Sequence, residues 1–200
     1  MSYCIVPDMA LAEDLRSFCD GWRAKARDYS VEEIREVFDR FFTSYVVFNR
    51  LYAEATYRLA QRGQLKLRER FPDSQAAQEY VLQYCGAVFL IRAWEADEGS
   101  RTALHRIAEH VREGRFALKL DPVTGARRPE EDANLLAGLE SRGSNRRAKA
   151  VLEALYAIRC NMFHGQKGFQ PIQLELLQPA IAVLEKTADA LYRALEQNDE

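Results

Sequence analysis

Residues 30–63 read SVEEIREVFDRFFTSYVVFNRLYAEATYRLAQRG. Within this stretch Ile34, Phe38, Phe41, Tyr45, Phe48, Tyr52, Ala55 and Leu59 succeed one another in alternating steps of four and three, without a miss. On a helix of about 3.6 residues per turn that spacing gathers every one of them onto a single apolar stripe. A stripe so long and so aromatic needs several partner helices to cover it. Ser30 followed by Glu33 predicts a capping box at the start of this helix, and Gly63 predicts its stop.

The flanking sequence has the same period. A first helix is expected after Asp8, burying Leu11, Leu15, Phe18 and Trp22. A third is expected from Asp73 or Ser74, burying Ala77, Tyr80, Tyr84, Val88 and Ile91, and a shorter one carries Leu104, Ile107 and Val111 to a stop at Gly114. Ser144 opens a helix with the stripe Val151, Leu155, Ile158 and Met162. The last helix starts near Pro179 or slightly earlier and buries Leu177, Ile181, Leu184, Ala188, Leu191 and Leu195. The expected fold is all-α: an antiparallel helical bundle with four long core helices and short extra ones, in one domain over residues 1–200. Residues 114–143 break the pattern. Phe116 to Leu120 alternates, Asp121-Pro122-Val123-Thr124-Gly125 is a turn, and Pro129 suits the first turn of a short helix to about Leu139. This is an irregular insert, either a flap over a substrate or a surface loop without a role.

Composition narrows the class of function. A hydrophobic fraction of 48% and a charged fraction of 29% belong to a globular protein, and no apolar run approaches a membrane span. Asp8, Glu13 and Asp14 sit where a signal peptide would be basic and apolar. Cys4, Cys19, Cys85 and Cys160 are scattered without CxxC pairing, which fits a reduced, cytoplasmic protein. His105 and His110 fall on different faces of their helix, so no zinc set is expected, and no cofactor motif occurs. The net charge of −2 excludes a generic polyanion binder. Locally the balance differs: Arg142, Arg146, Arg147, Lys149, Arg159 and Lys167 face Glu153 alone, and Arg62, Lys66, Arg68 and Arg70 face only Glu69.

The denser basic run leads into Arg159-Cys160-Asn161-Met162-Phe163-His164-Gly165. Arginine can hold a phosphate through two parallel hydrogen bonds, and histidine moves protons near neutral pH. Five residues turn an unbroken helix through about 500°, so Arg159 and His164 converge only if the helix ends between or just after them. Gly165, Gly168 and Pro171 supply that ending. Carbonyls there favour an imidazolium by about 0.3–1 kcal/mol at exposed sites, a bias that suits a general acid. Arg159 falls inside the apolar sector, where a charge needs a partner or a ligand. Two readings stand: a phosphate grip, or a structural salt bridge.

Arginine, a nearby asparagine and a histidine at the end of a bundle helix resemble the HEPN superfamily, whose signature is Arg-x(4–6)-His. The form Tyr156-x-x-Arg159-Cys160-Asn161-Met162-Phe163-His164-Gly165-x-Lys167 is similar to a bacterial branch of it, and Phe48-Asn49-x-Leu51-Tyr52 resembles a companion motif of that branch. The resemblance implies a helical bundle, commonly a homodimer with two motif copies facing across the two-fold axis. It implies a metal-independent endoribonuclease of a toxin, antiphage-defence or RNA-processing system, with an antitoxin protein among the partners. The alternative within the superfamily is a non-catalytic module that binds RNA, a nucleotide or a protein. Arg159 and His164 would be catalytic, leaving a 2′,3′-cyclic phosphate on the RNA. Asn161 would orient His164 or bind the backbone, and Lys167, Arg146 and Arg147 would meet RNA phosphates. Asn49, beside the Phe48/Tyr52 stripe, is expected to be at least partly buried, as a core amide, a tie to the motif helix or a site residue. Cys160 stands directly after the arginine, where the commoner pattern has its polar residue.

Overall fold

The computed structural model describes residues 13–67, 69–163 and 170–197. These form an all-α helical bundle, as the periodicity predicts. Helix α1 is Glu13–Arg27 and α2 is Ile34–Gln61. Helix α3 runs on unbroken through Asp73–Gln75, a π-helical turn Ala76–Tyr80 and Val81–Cys85. Then come α4 (Ala87–Glu95), α5 (Glu98–Arg112), α6 (Pro129–Leu139), α7 (Ser144–Phe163) and, after a 3-10 turn Pro171–Gln173, α8 (Leu174–Gln197). Among the described residues the only strand-like pairing is one antiparallel bridge, Leu120 with Arg127.

Helix α2 is the axis. From Phe38 to Leu59 every stripe residue is buried, with Ile34 packed at its edge. Helices α1 and α8 cover it along its length. Arg40 and Ser44 reach Glu185, and Arg58 reaches the Leu195 carbonyl, so α2 and α8 run in the same direction. Helix α1 lies antiparallel to α8, with Arg16 paired to Glu196 and Arg23 to Asp189. Helix α5 is antiparallel to α8 on its other side, where Lys186 meets Asp97 and His110 meets the Glu175 carbonyl. The Trp94 indole, fully buried, donates to Thr187 Oγ1 at 3.0 Å.

Local readings need three corrections. The predicted capping box of Ser30 and Glu33 does not form: Glu33 caps α2 without a side-chain bond. Ser30 Oγ instead accepts the Glu32 amide, and the Glu36 carboxylate accepts the Ser30 amide at 2.7 Å, because the chain bends through residues 31–33 before it coils. Along α3 and α4 the buried residues are Ala76, Ala77, Val81 and Tyr84, then Ala87, Leu90 and Trp94, while Val88 is 52% exposed. The π turn adds a residue to one turn, and Gly86, at φ +79°, breaks the rod and rephases its second half. The insert 114–143 is no flap over a surface. Phe116, Ala117 and Leu118 are buried, Asp132 Oδ1 accepts the amides of Leu118 and Lys119, and α6 lies against α7. Its helix starts at Pro129, as expected.

Pro179 sits inside α8 and lacks the amide proton that Glu175 O would otherwise accept. His110 Nε2 supplies it from α5 at 3.1 Å. Replacing His110 with Leu keeps the apolar bulk and strands that carbonyl, so it should cost about 1–3 kcal/mol in urea unfolding. The α6–α7 crossing is equally tight: a Cβ on Gly138 would lie 2.7 Å from Ala150 Cβ. Gly138→Ala should therefore lower stability by about 1–3 kcal/mol, offset by at most about 1 kcal/mol of helix propensity. Adding Ala150→Gly should recover part of the loss in the same denaturation assay; strict additivity of the two changes would contradict the close contact.

Candidate functional site

Helix α7 buries Val151, Leu155 and Ile158 and leaves Met162 half-covered, as its stripe predicts. Arg159 lies on the flank of that stripe, toward α2 and the start of α3. Its side chain is 25% exposed, with Nη1 3.6 Å from Asp73 Oδ2. The guanidinium carbon stands 5.6 Å from the centre of the Tyr45 ring and 5.7 Å from that of Tyr156, within cation–π range of both. Cys160 Sγ is 4.0 Å from Nη1.

Asp73 is the hub. Tyr52, fully buried on α2, donates its hydroxyl to Oδ1 in a very short contact. Tyr156 on α7 donates to Oδ2 at 3.1 Å. Both carboxylate oxygens thus receive phenol protons, and the guanidinium completes the set at longer range. Phe71 stacks on Tyr52 with ring centres 6.4 Å apart and closes the cluster on one side. The Tyr45 hydroxyl is buried without a hydrogen-bond partner among the described residues.

The electrostatics keep every proton in place. Burial pushes the Tyr45 phenol well up, with Arg159 pulling the other way. Burial also raises Tyr52, helped by Tyr45 and by the hydrogen bond to Asp73. Tyr156 is pushed up to about 12 by burial first, then by Cys160 and Asp73. For Arg159 burial works against the charge, but Cys160, Tyr45 and Asp73 outweigh it, and the pKa ends above that of a free guanidinium. The result is a fixed cation at the end of α7, backed by neutral phenols and open to solvent along one edge. Such a group can hold an oxyanion.

The residues predicted from the sequence scatter around this cluster. Arg159 is in it, and the companion motif contributes Tyr52. Asn49 is exposed, contrary to expectation: the buried arc of α2 swings toward Ser44, Val47 and Leu51, where α8 packs, and leaves Asn49 just beyond its far edge. Asn161 turns toward the insert and donates Nδ2–H to the Leu118 carbonyl at 3.0 Å. Arg146 is exposed and Arg147 is paired with Glu95 at 2.6 Å, both three turns or more from Arg159, about 18 Å along the axis. His164 and Lys167 lie outside the described residues. Sequence reasoning passed over Asp73, which reads as a helix start, and Tyr45, which reads as core. An apolar stripe with phenols at two of its positions is the one signal for them.

Comparison of the chain with protein-family models, with curated proteins and with solved structures finds no match. What fold and site together define is an all-α bundle carrying an arginine–carboxylate–tyrosine cluster where α2, α3 and α7 meet. Among the described residues no three His, Cys, Asp or Glu side chains gather as a metal site.

The raised phenols give a pH prediction. An exposed tyrosine titrates near 10. Tyr45, Tyr52 and Tyr156 lie above that in the folded state, so their contribution to stability is complete below about pH 10 and is lost as pH climbs toward about 12 for Tyr156. In an alkaline titration, phenolate absorbance from these three of the nine tyrosines should appear only as helical circular dichroism disappears. Tyr156→Phe should remove one late phenol. Ionisation of all nine at ordinary pH with the helices intact would contradict the buried cluster.

Proposed function

We propose that the chain is a metal-independent endoribonuclease of the HEPN type, working at the C-terminal end of α7. The observation that supports this reading is the state of Arg159. Its charge is held against two aromatic rings and 3.6 Å from the Asp73 carboxylate, and its side chain is 25% exposed. A positioned, charged and partly open guanidinium is what a developing phosphorane requires, since donors fixed in advance need no reorganisation. In the proposed reaction the RNA 2′-oxygen attacks the adjacent phosphorus and the bond to the 5′-oxygen breaks. The products are a 2′,3′-cyclic phosphate and a 5′-hydroxyl. Arg159 binds a non-bridging oxygen, and His164 carries the proton from the 2′-hydroxyl or to the departing 5′-oxygen. A homodimer joined near the motif would set two such pairs face to face, one for each proton transfer. A toxin or defence role, with an antitoxin as partner, belongs to the same reading.

The Asp73 contact also favours a second reading, in which Arg159 binds RNA or a partner protein without chemistry. Incubation of purified protein with labelled RNA in EDTA separates the two. Cleavage leaving cyclic phosphate ends is expected, reduced at least about 100-fold by Arg159→Ala and by His164→Ala, with melting curves confirming that both variants fold. RNA binding without cleavage would select the second reading. Cleavage strictly dependent on added divalent metal, or indifferent to both substitutions, would reject the first.

A further inference from the structure

At the other end of α7 a groove of about 620 Å³ opens between α5, the α6–α7 connection and the first turns of α7. That volume suits a small-molecule ligand. Arg101, His105 and Arg112 project into it from α5, with Arg142 and Arg147 opposite. Leu104, Leu139 and Val151 form an apolar floor, each buried. Two carboxylates share the walls: Glu95 holds Arg147, and Glu140 holds Arg112, near which Glu109 and Glu113 also lie. Arg101 and Arg142 are exposed and form no ion pair among the described residues. Four guanidinium groups thus face two wall carboxylates, in a chain whose net charge is −2.

The local sequence departs from the usual rule at the same place. Helix α7 has no acid in its first turn, and Arg146 and Arg147 stand where the helix dipole disfavours cations. Charges set against local preference, around a groove, are what a ligand of opposite sign would compensate. We propose that this groove binds a compact anion carrying two or more phosphates. Guanidinium forks match phosphate oxygens two at a time, and the two arginines without partners stand on opposite walls, so that one phosphate can be met from each. The carboxylates that fix Arg112 and Arg147 repel a continuous polyanion strand, which favours a compact ligand. Arg147 is twelve residues from Arg159, about 18 Å along α7, so the groove is independent of the proposed catalytic end.

The test is calorimetric titration of the whole chain with tripolyphosphate at low ionic strength. Saturable one-to-one binding is expected, weaker by about tenfold for each arginine removed in Arg101→Ala and Arg142→Ala. Both side chains are exposed, so the variants should melt like the parent. Orthophosphate should bind more weakly than tripolyphosphate. Tighter binding of ATP than of tripolyphosphate would identify the ligand as a nucleotide, and equal binding would identify free polyphosphate as sufficient. Arg159→Ala should leave the affinity unchanged. The proposal is overturned if neither tripolyphosphate nor ATP binds saturably, if the Arg101/Arg142 variants bind as well as the parent, or if Arg159→Ala abolishes binding. Arginine-dependent binding of short single-stranded RNA alone would likewise replace the compact ligand with a strand.

Discussion

Everything in this molecule hangs on the uninterrupted apolar face of α2. Twenty-eight residues of helix give a rod of roughly 42 Å, and its stripe is too wide for one neighbour to cover. Helices α1 and α8 take its flanks, and the π turn at the start of α3 closes its end. The same rod delivers two phenols to a polar cluster. Tyr45 and Tyr52 are core residues by position and site residues by their hydroxyls. Packing and chemistry are therefore carried by the same side chains, and a change that loosens one disturbs the other.

The cluster around Asp73 shows how a bundle tolerates charge near its core. A carboxylate and a guanidinium facing each other alone would bear heavy desolvation costs. Here the carboxylate is shared among two phenols and the guanidinium, and the guanidinium lies against two aromatic rings. The partners come from three separate parts of the chain, Tyr156 being 83 residues from Asp73. The arrangement exists only when α2, α3 and α7 are docked.

That distribution explains what was legible in the sequence. Apolar periodicity located the helices that carry Phe41, Leu155 and Leu184, because burial of a stripe is a local property of spacing. It erred at Val88, where a π turn and Gly86 reset the phase, and at Asn49, where the position of α8 decided which edge of α2 is covered. Arg159 was legible as a charge in an apolar sector. Its partner was not, since nothing within a short window links residue 73 to residue 159. The parallel course of α2 and α8 was hidden for the same reason: direction is fixed by which faces meet, after several intervening helices.

The borrowed hydrogen bond at the start of α8 bears on assembly. Glu175 has its carbonyl completed by His110, 65 residues earlier, so the opening turn of α8 cannot finish itself. A nascent α8 would keep that carbonyl hydrated until α5 arrives, and docking and dehydration must then happen together. The C-terminal helix is thus tied at its opening turn to the middle of the chain, and α8 completes its own hydrogen bonding only in the docked bundle.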